Sequence, residues 1–175
     1  MQHYGDTYGF NMYRLPVGWQ YLVSSPGSDF IPANFAIFDQ LMQSCLKAKA
    51  TCVIDIHNYA RWNGQIVNQG GPTKEQFADL WKRLAMEYGK NDNVAYGLVN
   101  EPHDVDMTKW AEACQEAVNE IRGSGAKGMI LLPGTLFAAA FSFVISSTLA
   151  LAPKKHTNET HPCFPHQNTL PLYVA

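Results

Sequence analysis

Four apolar runs alternate with three stretches of helical spacing, and this alternation restricts the fold more than any other feature. Residues 10–17, 51–57, 94–99 and 128–133 read as buried strands, the second of them rich in β-branched side chains. Residues 34–49 place Phe35, Phe38, Leu41, Met42, Cys45 and Leu46 on one helical face. Thr73, with Gln76 three residues on, forms a capping box that opens a helix to about Tyr88, burying Phe77, Leu80, Trp81 and Leu84. A third helix over about 107–122 turns Trp110, Ala113, Cys114, Ala117, Val118 and Ile121 inward. Gly123 and Gly125 end it, and Asp104 and Asp106 suit its start as acids favoured by the helix dipole. Loops fall at 24–33, rich in Ser, Pro and Gly, and at 58–72, which contains Asn63-Gly64 and Gly70-Gly71-Pro72. Near-continuous apolar strands between amphipathic helices imply a parallel sheet covered by helices, an α/β fold.

Polar residues gather where the strands end: Arg14 on the first, His57 and Asn58 after the second, Asn100 and Glu101 after the third. A (β/α)₈ barrel builds its active site at that end, and so does a doubly wound sheet. No glycine-rich G-x-G-x-x-G turn follows any strand, which argues against a dinucleotide site. Asn100-Glu101-Pro102 puts a carboxyl group beside an amide donor, with Pro102 stiffening the turn. Partial burial would raise such a glutamate towards working pH, so that it can hold and deliver a proton. Arg14 could hold a carboxylate bidentately or serve a structural ion pair. His57 could bond a hydroxyl or a carboxylate, or be a satisfied core histidine. Asp55 lies two residues before His57, faces the same way and sits deeper, where it can orient the others. Trp19, Tyr59 and Trp62 are read in loops on this side, as stacking platforms for flat apolar faces or as packing over the rim.

At 175 residues the chain has one domain's worth of sequence. A net charge of −2 leaves no electrostatic footprint for nucleic acid. The four cysteines, at 45, 52, 114 and 163, show neither C-x-x-C pairs nor zinc spacing, and no helix sets two metal ligands at i, i+4. Cys45 and Cys52 read equally as a bridge or as two buried thiols. Residues 1–10 are polar and lack the apolar core of a signal peptide, so the chain is intracellular or its start is missing. Residues 136–153 carry no charge for eighteen positions, the lower limit for a membrane span. Their Ala and Ser content favours a buried or ill-ordered helix instead. A polar tail rich in His and Pro follows.

Four segments in order now carry a resemblance: Arg14 to Trp19, Asp55 to Gly64, Gln69 to Pro72 and Asn100 to Asp104. Together they resemble glycoside hydrolase family 5, in particular the fungal-type secreted endo-β-1,4-glucanases. The resemblance runs from about residue 1 to Thr135. It implies a (β/α)₈ barrel, here partial, with about four parallel strands and intervening helices in residues 1–135, and an irregular or helical tail of unknown structure over 136–175. It implies retaining hydrolysis of β-1,4 links in cellulose or a related β-glucan, with no metal or organic cofactor. Glu101 would be the acid/base and Asn100 would bind the sugar 2-hydroxyl. Arg14 would hold the nucleophile's carboxylate, with His57 and Asn58 lining the centre. Trp19, Tyr59 and Trp62 would be substrate contacts. Cys45 and Cys52 resemble a disulfide pair of the family, from which an extracellular origin would follow.

The chain departs from the family pattern in two respects. The family's first strand is absent, and so are the later His-x-Tyr motif and the second catalytic glutamate. Beyond Thr135 the only carboxylate is Glu159, within the sequon Asn158-Glu159-Thr160. Retaining cleavage needs two carboxyl groups about 5–5.5 Å apart. The chain is therefore expected to be an impaired fragment. A β-mannanase of the same fold, a non-catalytic sugar-binding remnant and a membrane-attached protein are the alternatives.

Overall fold

The computed structural model describes residues 1–137. From the N-terminus the elements are α1 (Gln2–Tyr8), β1 (Met12–Val17), α2 (Trp19–Leu22), α3 (Pro32–Lys47), β2 (Thr51–Ile56), β3 (Arg61–Trp62), β4 (Gln65–Ile66), α4 (Lys74–Tyr88), β5 (Val94–Gly97), α5 (Met107–Gly123) and β6 (Ile130–Leu131). Four strands pair in parallel in the order β1-β2-β5-β6, and β3 and β4 make a separate antiparallel hairpin. This is the arc of a (β/α) barrel, with α3, α4 and α5 as the crossovers. The expected tail lies outside the described residues from 138 onward, and with it almost all of the uncharged run. No helix among the described residues is long and apolar enough to cross a membrane.

Strand side chains alternate between faces, and here the two faces have separate tasks. Leu15, Val17, Cys52, Ile54, Ile56, Val94, Tyr96, Leu98 and Ile130 join the hydrophobic core against the helices. Met12, Arg14, Val53, Asp55, Gly97 and Val99 line the opposite, cleft side. β2 is buried at five of its six positions, which explains why its sequence reads as a continuous apolar run. Phe77, Trp81 and Leu84 of α4 and Trp110, Ala113 and Ala117 of α5 fill the core beneath. Each large apolar side chain so buried contributes about 1.5–3 kcal/mol. Lys82 and Glu120 pair at 2.9 Å across the same two helices.

Local signals set the boundaries. Thr73 accepts from the Gln76 amide at 3.2 Å, and the Gln76 side chain accepts from the Thr73 amide at 2.9 Å, so the capping box is complete. Asp106 caps α5, its Oδ1 accepting from Thr108 and Lys109 amides at 2.9 and 3.1 Å. The residues before Phe10, read only as lacking a signal sequence, form α1, which ends at Gly9 in the left-handed conformation. The run at 128–133 shortens to two residues, because only Ile130 and Leu131 find register partners on β5. Leu41, expected on the inward face of its helix, is 38% exposed. The buried stripe of α3 is Phe38, Met42 and Cys45. Leu41 lies about 100° round the helix from Met42, and with Ile37 and Tyr21 it lines an open groove of about 670 Å³ beside β1.

Cys45 of α3 and Cys52 of β2 form a disulfide with 6.0 Å between Cα atoms. It ties a crossover helix to the strand that it delivers. Cys114 is free and buried, and burial pushes its thiol up, away from the reactive thiolate. Reduction of the folded chain should lower its urea-unfolding free energy by roughly 2–3 kcal/mol, the chain-entropy value for so short a loop. Iodoacetamide near neutral pH should leave Cys114 unlabelled until denaturant is added, which peptide mapping would read directly.

Candidate active site

The parallel ladder continues to the strand ends and so sets the polar residues side by side. The His57 amide donates to Val17 O at 2.9 Å, and the Asn100 amide donates to Ile56 O at 2.9 Å. Arg14 and Val53 are in register across β1 and β2, as are Asp55 and Gly97 across β2 and β5. The result is a polar cluster centred on Asp55, which is 3% exposed. Arg14 Nη2 stands 2.9 Å from Asp55 Oδ2, and His57 Nδ1 stands 2.8 Å from the same oxygen. A carboxylate only accepts, so His57 Nδ1 carries the donated proton and the ring is fixed in one orientation. Arg14 Nη2 also donates to Asn100 Oδ1. That bond fixes the amide flip of Asn100 and leaves its NH₂ as a donor. Among the described residues the partners of Arg14 are thus Asp55 and Asn100, while half of its side chain remains exposed.

Glu101 follows directly, in a left-handed turn with φ 43°. A non-glycine residue held there costs about 1–3 kcal/mol, an arrangement that persists only where the surroundings over-determine it. The turn carries the carboxylate past the end of the sheet, so Glu101 is exposed and not partly buried as its position after a buried strand suggested. It shares a cleft of about 330 Å³ with Arg14, Asp55, Asn100, Pro133 and Phe137. The distal end of the turn is pinned by Phe137, whose amide donates to Pro102 O at 3.0 Å.

The expected aromatic contacts separate into three environments. Trp19 is a correction: it is fully buried in α2, not exposed in a loop. Its indole packs edge-on to Trp62 at 5.3 Å and against Phe77 at 5.9 Å, so it belongs to the core and offers no stacking face. The preceding Pro16-Val17-Gly18 ends β1, and the single turn of α2 folds Trp19 back under the sheet rim. Trp62 is half-buried over Trp19. Tyr59 is 38% exposed and lies between His57 and His103, at 5.7 and 6.1 Å between ring centroids. His103 in turn stacks on Phe137 at 4.7 Å. Asn58 is buried, and its Nδ2 donates to Arg61 O at 2.7 Å. Its Oδ1 is buried without a hydrogen-bond partner among the described residues.

Three features went unrecognised in the sequence. The segment 58–72 contains the hairpin β3–β4, whose close return at Gly71 leaves no room for a side chain: a Cβ there would lie 2.6 Å from Gln65 O. Arg61 bridges to the Glu101 turn, and His103 and Phe137 extend the aromatic row. The Asn63-Gly64 pair marked a turn, but nothing in the residues told where its flanks would bind. Among the described residues no cluster of three or more His, Cys, Asp or Glu side chains could hold a metal ion. Replacing Asp55 with Ala should destabilise the chain by about 2 kcal/mol in urea titration, since Arg14 and His57 lose a shared buried acceptor. A variant as stable as the parent would show that the carboxylate does not organise this cluster.

Known proteins share this fold. Endoglucanase EG-II of Hypocrea jecorina is 45% identical over 152 residues, covering 86% of this chain and 36% of that protein. The crystal structure of Cel5A (EG2) from Hypocrea jecorina superposes with a TM-score of 0.81 at 46% identity, covering 84% of this chain and 45% of that one. XacCel5A in complex with cellopentaose superposes at 0.74 with 31% identity, covering 82% of this chain and 46% of that one. The chain therefore spans less than half the length of each of these relatives. The family model for Cellulase (glycosyl hydrolase family 5) matches residues 1–167, and the chain belongs to that family.

Proposed function

We propose that this chain carries the acid/base half of a β-1,4-glucanase site, with Glu101 as the group that protonates the glycosidic oxygen and then activates water. The observation that supports this most is the meeting of Glu101 and Asn100, just past the end of β5, with Asp55 near the end of β2 and with Arg14, which reaches in from the middle of β1 and not from its end as expected. Asn100, its oxygen held by Arg14, presents an amide donor suited to the sugar 2-hydroxyl. His57, held by Asp55, and Tyr59, packed between His57 and His103, adjoin this cluster without lining the Glu101 cleft, and Trp62 packs on the buried Trp19. An open carboxyl group beside a fixed amide can, when protonated, deliver its proton to a leaving oxygen, and the carboxylate left can then take a proton from water. The substrate class is β-glucan, as in the cellopentaose complex of a family relative. No cofactor enters the reading.

Retaining cleavage requires a second carboxyl group about 5–5.5 Å away. Within the 175 residues, the only carboxylate after Thr135 is Glu159. On this reading the chain alone is a binding and proton-donating half-site, with impaired turnover. The same reading keeps residues 1–135 as the hydrolase portion and 136–175 as a divergent tail, while the family match itself runs on to residue 167. The Cys45–Cys52 bridge supports an oxidising, extracellular location.

The chain should bind cellopentaose in calorimetric titration and release reducing sugar from carboxymethyl-cellulose only slowly. Glu101→Gln should keep the binding and lose about 10²-fold or more of whatever turnover exists. Turnover untouched by that change would remove Glu101 from its role. Preference for manno-oligosaccharide over cellopentaose would move the assignment to a mannanase, and absence of binding to either would leave no sugar site.

A further inference from the structure

Four non-glycine residues in the stretches directly after β2 (57–60) and after β5 (98–106) adopt positive φ: Tyr59 at 56°, Ala60 at 60°, Glu101 at 43° and Asp104 at 54°. They fall in two pairs, one after β2 and one after β5. Neither loop is held in that form by its own sequence, since L-residues avoid this region. One side chain connects both. Arg61 Nη1 donates to Tyr59 O at 2.8 Å, and Arg61 Nη2 donates to His103 O at 2.9 Å. The same Nη2 lies 3.8 Å from Asp104 Oδ2, and that carboxylate bonds His103 Nδ1 at 2.7 Å. The guanidinium is mostly buried, with 19% of the side chain exposed.

Arg61 is itself fixed from behind. Its amide donates to Asn58 O at 2.9 Å, and its carbonyl accepts from Asn58 Nδ2 at 2.7 Å. As the first residue of β3 it is in register with Ile66. Gln69, beyond the β3–β4 hairpin, accepts through Oε1 from the Asp106 amide at 2.7 Å, so the loop after β5 is gripped from both ends of the hairpin. A planar fork with two separated donors can span two carbonyls on different loops, whereas a lysine ammonium is a point that cannot.

We propose that Arg61 is a positioning residue that sets the separation of the Tyr59 and Glu101 loops, and so places the Glu101 carboxyl over the cleft. This rests on the reading of Glu101 as proton donor, and it adds a residue that touches neither substrate nor proton. A small displacement of a reacting group is costly to the chemical step and nearly invisible to binding. The effect of Arg61 should therefore fall on kcat and not on KM.

The test compares the 175-residue chain with Arg61→Lys and Arg61→Ala by hydrogen–deuterium exchange. Within 101–106 the amide of Asp106, held by Gln69, should exchange roughly ten-fold faster in both variants, while those of β2 and β5 stay as in the parent. Millimolar ethylguanidinium should restore protection to Arg61→Ala, and ethylammonium should not. Where turnover is measurable, kcat should fall roughly 10–100-fold with KM nearly constant. Unchanged exchange at Asp106, protection lost equally across all strands, rescue by ethylammonium, or a change confined to KM would each overturn the inference. The exchange pattern decides it even if the chain cleaves no glucan, a result that would count against the role of Glu101 and not against that of Arg61.

Discussion

A single buried carboxylate organises the mouth of this fold. Asp55 is almost wholly removed from water, so an unpaired charge there would be very costly. Two donors meet it, Arg14 from β1 and His57 from the end of β2. Arg14 passes the constraint to Asn100 at the end of β5. Three adjacent strands are therefore locked in relative height by one set of charge-assisted bonds, which are short and directional. The parallel ladder alone sets register, but it does not set where side chains at the strand ends point. Asp55 does that for Arg14 and His57 and, through Arg14, for Asn100.

Beyond the strand ends, order passes from the ladder to side chains. The loops after β2 and β5 contain residues in left-handed conformations that the backbone would not choose. They are held by Asn58, Arg61 and Gln69, each of which donates to or accepts from backbone groups of a loop. Such an arrangement is rigid where it is satisfied. It exposes Tyr59 and Glu101 on supports whose own freedom has been removed, as a site that binds and reacts requires.

The strands and helices were legible because their signals are local. The capping box at Thr73, the Asp106 cap and the apolar run of β2 each act within a few residues. Strand parity also told that Asp55 and His57 face the same way, and they are bonded at 2.8 Å. Legibility failed where the deciding contact is distant in sequence. Trp19 reads as an exposed loop aromatic until Trp62 and Phe77 close over it, from more than forty residues away. Leu41 reads as inward because its spacing fits, yet the helix is rotated so that Phe38 and Met42 take the buried stripe. Arg61 carries no signal of its own, since its partners Tyr59 and His103 are backbone carbonyls that any sequence would supply.

The cleft also explains why Glu101, the proposed acid/base, sits on a turn and not on a strand. Apart from Arg14 and its partner Asp55, the inner face of the sheet is lined by Met12, Val53, Gly97 and Val99, apolar or without a side chain. At Gly97 a Cβ would lie 3.1 Å from Ile54 O, so β5 approaches β2 where there is little room for anything larger. A carboxylate placed on that floor would be desolvated like Asp55 and would need permanent partners, which would occupy the oxygens that must exchange a proton. By leaving the sheet at Asn100 and reversing through a positive φ, the chain delivers Glu101 to the rim, where its oxygens remain accessible. The fold thus divides two carboxylates between two tasks: the buried one is spent on orientation, and the exposed one remains available for chemistry.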